Sequence, residues 1–203
     1  MNIEESQEYF DRVFHFHRAM AILRGADEDA AVVLSRLAWD AGLAMVEVPL
    51  QSPQSERALR AAVAEATRRS NWAGVGAGTI TSVELVEKAS AAGAAFTVSP
   101  GFDPAVLARS LELSMPHLPG VATPTEVQSA MKIGARWLKA FPADALGEAW
   151  FSDMRGPFPN VRFLATGGVT AKNALRFLNA GAAAVSFGSS FAALTRRELD
   201  AVR

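Results

Sequence analysis

The sequence has no cysteine, which excludes disulfides, thiolate catalysis and Cys-ligated zinc. Secreted chains can also do without disulfides, so this absence favours the cytoplasm without fixing it. An excess of either charge is missing too: 20 Lys and Arg stand against 21 Asp and Glu, a net charge of −1. There is therefore no electrostatic reason to expect nucleic acid or an anionic membrane as partner. No apolar run reaches the ~18 residues of a membrane span. The opening residues, Met1–Asp11, are polar and acidic, unlike a signal peptide. No linker or low-complexity tract interrupts the 203 residues, half of them hydrophobic and a fifth charged. The chain reads as one soluble, cytoplasmic domain, 1–203.

What is present is an alternation. Short apolar runs occur at Met20–Leu23, Ala44–Val48, Ala73–Val75, Ala95–Val98, Met115–Leu118, Arg136–Ala140, Arg162–Ala165 and Ala184–Phe187. Most are followed by Gly, Pro, Ser or Thr, as buried parallel strands ending in loops would be. Between them lie helical stretches: Asp27–Ala41, Ser55–Arg69, Ser82–Ala92, Pro104–Leu113, Pro124–Ile133 and Ala171–Ala180. Asp27, Ser82 and Thr123 stand where N-caps belong. Gly42, Gly93, Gly134 and Gly181 each follow a helix just before the next strand. Eight such units predict an α/β fold, a (β/α)8 TIM barrel, with an extra N-terminal helix within residues 1–19 and a truncated last unit. A doubly wound sheet would place GxGxxG after the first strand, where only Arg24-Gly25 stands.

In such a barrel, polar residues at the C-terminal ends of strands carry the chemistry. Here they are Arg24, Glu47, Gln51, Thr79, Ser99, Lys139, Thr166 and Ser189. Of the four lysines, Lys88, Lys132 and Lys172 fall on helical stretches, whereas Lys139 lies in the apolar strand Trp137-Leu138-Lys139-Ala140-Phe141-Pro142. Desolvation there favours the neutral amine, the form that attacks a ketone. The alternative is a lysine whose stem packs while its head snorkels or pairs. Glu47, in Met45-Val46-Glu47-Val48-Pro49, is either a proton shuttle beside that lysine or its structural ion-pair partner. The turns Thr166-Gly167-Gly168-Val169 and Phe187-Gly188-Ser189 end the last two strands, where barrel enzymes bind phosphate through backbone N–H groups. Each alone is also an ordinary tight turn. Gly76-Ala77-Gly78-Thr79 reads as a turn after the third strand. His15 and His17 read as packing or surface residues, with no carboxylate cluster nearby to make a metal site.

These segments resemble the class I 2-keto-3-deoxy-6-phosphogluconate and phosphogalactonate aldolases. The matching stretches are Ile22–Gly25, Glu47–Gln54, Gly76–Thr79, Phe96–Gly101, Pro119–Glu126, Leu138–Ala143, Gly156–Pro159 and Ala165–Val169, in family order from about residue 20 to residue 194. The resemblance implies Lys139 as Schiff-base lysine and Glu47 as acid/base. It implies Arg24 and Thr79 at the substrate carboxylate, Gln51, Pro100 and Thr166 lining the pocket, and Gly167, Gly168, Gly188 and Ser189 at the phosphate. It implies no cofactor or metal, and a homotrimer. The reaction implied is reversible cleavage to pyruvate and glyceraldehyde 3-phosphate. Two other readings stay open: a barrel isomerase, epimerase or synthase on a sugar phosphate, and a non-catalytic sugar-phosphate-binding paralogue. The phosphogluconate branch has arginine where Gln51 stands, and Glu47–Gln54 looks like the phosphogalactonate branch. Ser99-Pro100-Gly101 and Gly156-Pro157-Phe158-Pro159 look like the phosphogluconate branch, so the two C4 epimers are not distinguished. The N-terminal segment and short C-terminus depart from the family's usual pattern.

Overall fold

A computed structural model describes residues 1–69 and 74–202, the side chain of Phe16 excepted. Its strands are β1 (Ala19–Ile22), β2 (Met45–Pro49), β3 (Gly74–Gly78), β4 (Thr97–Val98), β5 (His117–Leu118), β6 (Gly120–Val121), β7 (Trp137–Ala140), β8 (Arg162–Thr166) and β9 (Ala184–Phe187). They form one sheet in the order β5-β4-β3-β2-β1-β9-β8-β7-β6, with parallel pairing throughout. β5 and β6 are halves of one run broken at Pro119, which has no N–H to give to a ladder. Its carbonyl still accepts the Lys139 N–H at 2.8 Å. The two ends of the sheet therefore lie in the same segment, and the ring closes there as an eight-stranded barrel.

Around it run α2 (Glu28–Asp40), α3 (Pro53–Arg68), α4 (Val83–Ala91), α5 (Pro104–Glu112), α6 (Pro124–Lys132), α7 (Ala143–Leu146), α8 (Glu148–Arg155), α9 (Ala174–Ala180) and α10 (Arg196–Asp200). The expected caps form: Asp27 accepts the Ala30 N–H, Ser82 that of Leu85, and Thr123 closes a capping box with Glu126. Gly42 and Gly181 sit at φ 91° and 114°, a backbone state that residues with a Cβ avoid. α3 begins at Pro53, two residues before the expected start, because Ser52 and Ser55 cap it reciprocally. α7 and α8 have no counterpart among the expected helices.

Two cores follow from the period-two alternation of the strands. The outer one lies between sheet and helices. The inner one fills the barrel: Met20, Ile22, Met45, Phe96, Val98, Leu118, Trp137, Leu164 and Ala184, joined by Phe10, Val13 and Phe14 of α1 (Ile3–Phe16). α1 thus stoppers the bottom of the barrel. Phe14 lies 4.8 Å from Trp137, ring to ring. Burying each of its apolar side chains is worth roughly 1.5–3 kcal/mol. Its polar face satisfies strand starts: Gln7 Oε1 accepts the N–H groups of Arg136 and Trp137, both at 2.7 Å. Asp11 accepts from Trp137 Nε1 and from Arg162.

The third strand corrects one expectation. The run expected to end at Val75 starts within the described residues at Gly74 and continues to Gly78, and its first expected residue, Ala73, lies outside them. Gly76-Ala77-Gly78 is therefore strand, not turn. A Cβ on Gly76 would lie 2.2 Å from the Phe96 ring, and one on Gly78 1.9 Å from Glu47 Oε1. The glycines are there because larger neighbours occupy that space.

Candidate active site

Residues two positions beyond the inner core on the same strands share its inward face. Met45 leads to Glu47, Trp137 to Lys139, Leu164 to Thr166 and Ala184 to Ser186. All four polar residues are buried, Lys139 at 3% and Glu47 at 1% exposure. The Lys139 amine lies 5.2 Å from the centre of the Phe141 ring. Glu47 spans the gap over Gly78, and its Oε2 is buried without a hydrogen-bond partner.

Burial is the largest influence on both groups. It pushes the Lys139 pKa below the ordinary lysine value, with Glu47 opposing and the Arg24 charge adding to the shift. It pushes the Glu47 pKa up, against the charges of Lys139 and Arg24. The consequence is an amine that gives up its proton more readily and a carboxyl that holds one more readily, as carbinolamine chemistry needs.

Arg24 lies exposed just beyond β1, with Nη1 3.4 Å from Gln51 Oε1. Two expected substrate contacts are thus neighbours, and Arg24 is close enough to Lys139 and Glu47 for its charge to act on both. Thr79 follows β3 at φ 59°, a costly conformation for a β-branched residue that tends to mark functional turns. Thr166 lies beside Ser186, whose Oγ is 2.8 Å from Thr166 Oγ1. Half-buried Pro100 crosses Gly120, where an added Cβ would meet its carbonyl at 2.2 Å.

The two glycine turns come together, since β8 and β9 are paired. Gly167 and Gly168 have φ 96° and 72°, and Ser190 Oγ donates to Val169 O at 2.9 Å, tying one turn to the other. Space beside Gly188 is open, and Ser189 is exposed. Gly167 also adjoins Phe141: a Cβ there would touch its ring at 3.2 Å. The Phe141 ring thus stands between the Lys139 amine and the first glycine turn.

Ser99 does not join these residues. It faces out of the barrel, donating to Ile80 O at 2.6 Å and meeting His117 Nε2 at 3.3 Å. Three features escaped the sequence reading: Gly78 making room for Glu47, Ser186 beside Thr166, and buried His117. The first two carry a signal, because alternation places Gly74, Gly76 and Gly78 on one strand face and sets Ser186 two residues beyond Ala184. Among the described residues, no group of three His, Asp or Glu side chains is arranged to hold a metal ion. Nor is any helix long and apolar enough to cross a membrane.

Comparison with known proteins agrees with this geometry. The chain is 35% identical over 171 residues to the 2-dehydro-3-deoxy-6-phosphogalactonate aldolase of Escherichia coli K12, covering 84% of this chain and 82% of that one. The 2-keto-3-deoxy-6-phosphogluconate aldolase of Zymomonas mobilis ZM4 superposes with a TM-score of 0.84 at 26% identity, over 97% of each chain. The KDPG aldolase of Legionella pneumophila, solved with pyruvate as a covalent carbinolamine, matches with a TM-score of 0.81 at 27% identity, over 94% of this chain and 96% of that one. Residues 10–202 match the family described as KDPG and KHG aldolase, and the chain belongs to that family.

Proposed function

We propose that the protein is a class I aldehyde-lyase that reversibly cleaves a 2-keto-3-deoxy-6-phospho sugar acid to pyruvate and glyceraldehyde 3-phosphate through a Schiff base on Lys139. The observation that carries this reading is a buried amine of lowered pKa sharing the barrel interior with an unsatisfied buried carboxylate. A purely structural lysine would gain little from such a place. The covalent pyruvate adduct in the Legionella relative supports the same chemistry.

Neutral Lys139 Nζ adds to the C2 ketone. Glu47 protonates the departing hydroxyl, leaving an iminium and a carboxylate. That carboxylate, directly or through a water, takes the C4 hydroxyl proton. The C3–C4 electrons move into the iminium, the aldehyde departs, and an enamine remains. Protonation at C3 and hydrolysis release pyruvate and regenerate the amine. Arg24 and Thr79 hold the C1 carboxylate, Gln51, Pro100 and Thr166 line the pocket, and Gly167, Gly168, Gly188 and Ser189 bind the phosphate through backbone N–H groups and a hydroxyl. Binding energy at the phosphate end orients the reacting bond. We further assign the protein to the cytoplasm as a homotrimer acting on small molecules. Both phosphogalactonate- and phosphogluconate-type epimers remain within the substrate class.

The test is reductive trapping. Incubation with pyruvate and borohydride adds one reduced pyruvate per chain, on Lys139, and Lys139→Met abolishes it. Labelling that persists in the variant, or that maps to Lys88, Lys132 or Lys172, refutes the assignment. Turnover without trapping favours an isomerase or epimerase.

A further inference from the structure

The mechanism leaves one buried polar assembly unused. It lies on the outer face of β4 and β5, under α5, and comprises Ser110, Thr97, His117 and Ser99, all buried. Thr97 Oγ1 is 2.9 Å from Ser110 Oγ and 2.8 Å from His117 Nδ1. His117 Nε2 is 3.3 Å from Ser99 Oγ, which is 2.6 Å from Ile80 O.

The direction of the last link is fixed. A carbonyl only accepts, so the single Ser99 hydroxyl proton goes to Ile80 O. Ser99 can then meet His117 Nε2 only as an acceptor. Burial keeps His117 neutral, with its pKa down to about 3. Thr97 Oγ1 donates to Ser110 Oγ and lies against His117 Nδ1. The buried contacts run from Ser110 through Thr97, His117 and Ser99 to the Ile80 carbonyl.

Ile80 directly follows Thr79, the residue at φ 59°. Its N–H donates to Val98 O at 3.1 Å, so the β4 segment grips Ile80 through both its N–H and its carbonyl. A left-handed β-branched residue persists only where its surroundings over-determine it, and this grip supplies that constraint. We propose that Ser99 and His117 are positioning residues for substrate binding: they hold Thr79 in the left-handed conformation from which it meets the keto-acid carboxylate. This rests on the reading of Thr79 as a carboxylate contact. Affinity scales with the fraction of molecules in the competent conformation, so loosening the grip weakens binding without altering the chemistry at Lys139.

Borohydride trapping of pyruvate on Lys139, followed against pyruvate concentration, separates the two effects. Ser99→Ala and His117→Leu each raise the half-saturating pyruvate concentration on the order of tenfold, with the limiting trapping rate within about twofold of wild type. Ser99→Thr, which keeps the hydroxyl, stays near wild type. Should one of the two disruptive variants fail to fold, the other carries the test. Thr79→Val is the reference and raises the same concentration. If Thr79→Val does so while Ser99→Ala and His117→Leu keep wild-type half-saturation, whatever their melting temperatures, the proposal is overturned. If Thr79→Val itself has no effect, the carboxylate reading of Thr79 falls, and the proposal with it.

Discussion

Gly78→Ala puts a single methyl group against the proposed acid/base. The added Cβ would lie 1.9 Å from Glu47 Oε1, 2.5 Å from Cδ and 2.7 Å from Cγ. The backbone cannot retreat, because β3 is paired with β2 from Met45↔Gly74 to Pro49↔Gly78, and Gly78 O accepts the Leu50 N–H at 2.9 Å. The carboxyl must therefore give way by at least about 1 Å, enough to cost roughly 100-fold in rate where geometry is catalytic, or ~2.7 kcal/mol in activation free energy. Since Glu47 Oε2 holds no hydrogen bond, the displaced carboxyl abandons little and stability should barely change. The comparison is Gly76→Ala, whose Cβ would lie 2.2 Å from the Phe96 ring. That ring is fully buried in the inner core, so overpacking there costs about 1–3 kcal/mol of stability while the carboxyl stays in place. The assay is kcat for cleavage, followed by pyruvate release coupled to lactate dehydrogenase, with Tm measured on the same samples. A Gly78→Ala enzyme with wild-type kcat refutes the reasoning. So does one whose activity loss merely follows a Tm loss as large as that of Gly76→Ala.

Three further outcomes follow from the geometry. Arg24→Met removes a positive charge that lowers the Lys139 pKa, so that pKa moves back up towards 10.5 and the acid limb of the limiting trapping rate shifts to higher pH; an unmoved limb contradicts the charge coupling. Because His117 titrates near 3 when folded and near 6.5 when unfolded, the unfolded chain takes up a proton that the folded one refuses. Stability is thereby lost as pH falls from 6.5 towards 3, by at most ~1.4 kcal/mol per pH unit. His117→Gln should flatten that part of the urea-denaturation profile, and an unchanged slope counts against the assignment. Gln51→Arg should move kcat/KM towards the phosphogluconate-type epimer by up to roughly 1–3 kcal/mol, while crowding Arg24, now 3.4 Å from the Gln51 amide oxygen; a wild-type enzyme that already prefers that epimer and does not shift shows that another residue reads C4.

The sequence made the barrel legible wherever one physical signal spoke alone. Lys139 and Glu47 stood out as charges inside apolar strands, and Gly42 and Gly181 as chain reversals between helix and strand. Where two signals coincided, the reading slipped. Gly76 and Gly78 look like a turn because glycine frees the backbone, yet here they yield space to Phe96 and Glu47, which only the neighbouring strands reveal. Ser99 sits at a strand end in the chain, but one step of register turns it away from Lys139. His117 falls within the expected strand Met115–Leu118, but its burial on the outer face, under α5, follows only from the packing of distant segments. The short α8 buries Phe151 against Phe163 and Phe177, contacts too distant in sequence to leave a local pattern.

The stopper helix has a consequence for the order of assembly. Its polar partners lie far along the chain: Leu111 O for the N-terminal amine, His117 for Ser6, Arg136 and Trp137 for Gln7, Arg162 for Asp11. Although α1 precedes every strand, it cannot dock until more than half the chain has come together. Non-local contacts of this kind slow folding, because loop-closure entropy is spent before they form. During synthesis the apolar stripe of Phe10, Val13 and Phe14 waits uncovered, a window in which chaperones or aggregation can intervene. Sealing of the barrel floor is accordingly a late event, and deleting α1 should expose the inner core from below while leaving the β2–β3 pairing and its α2–α3 cover to form first.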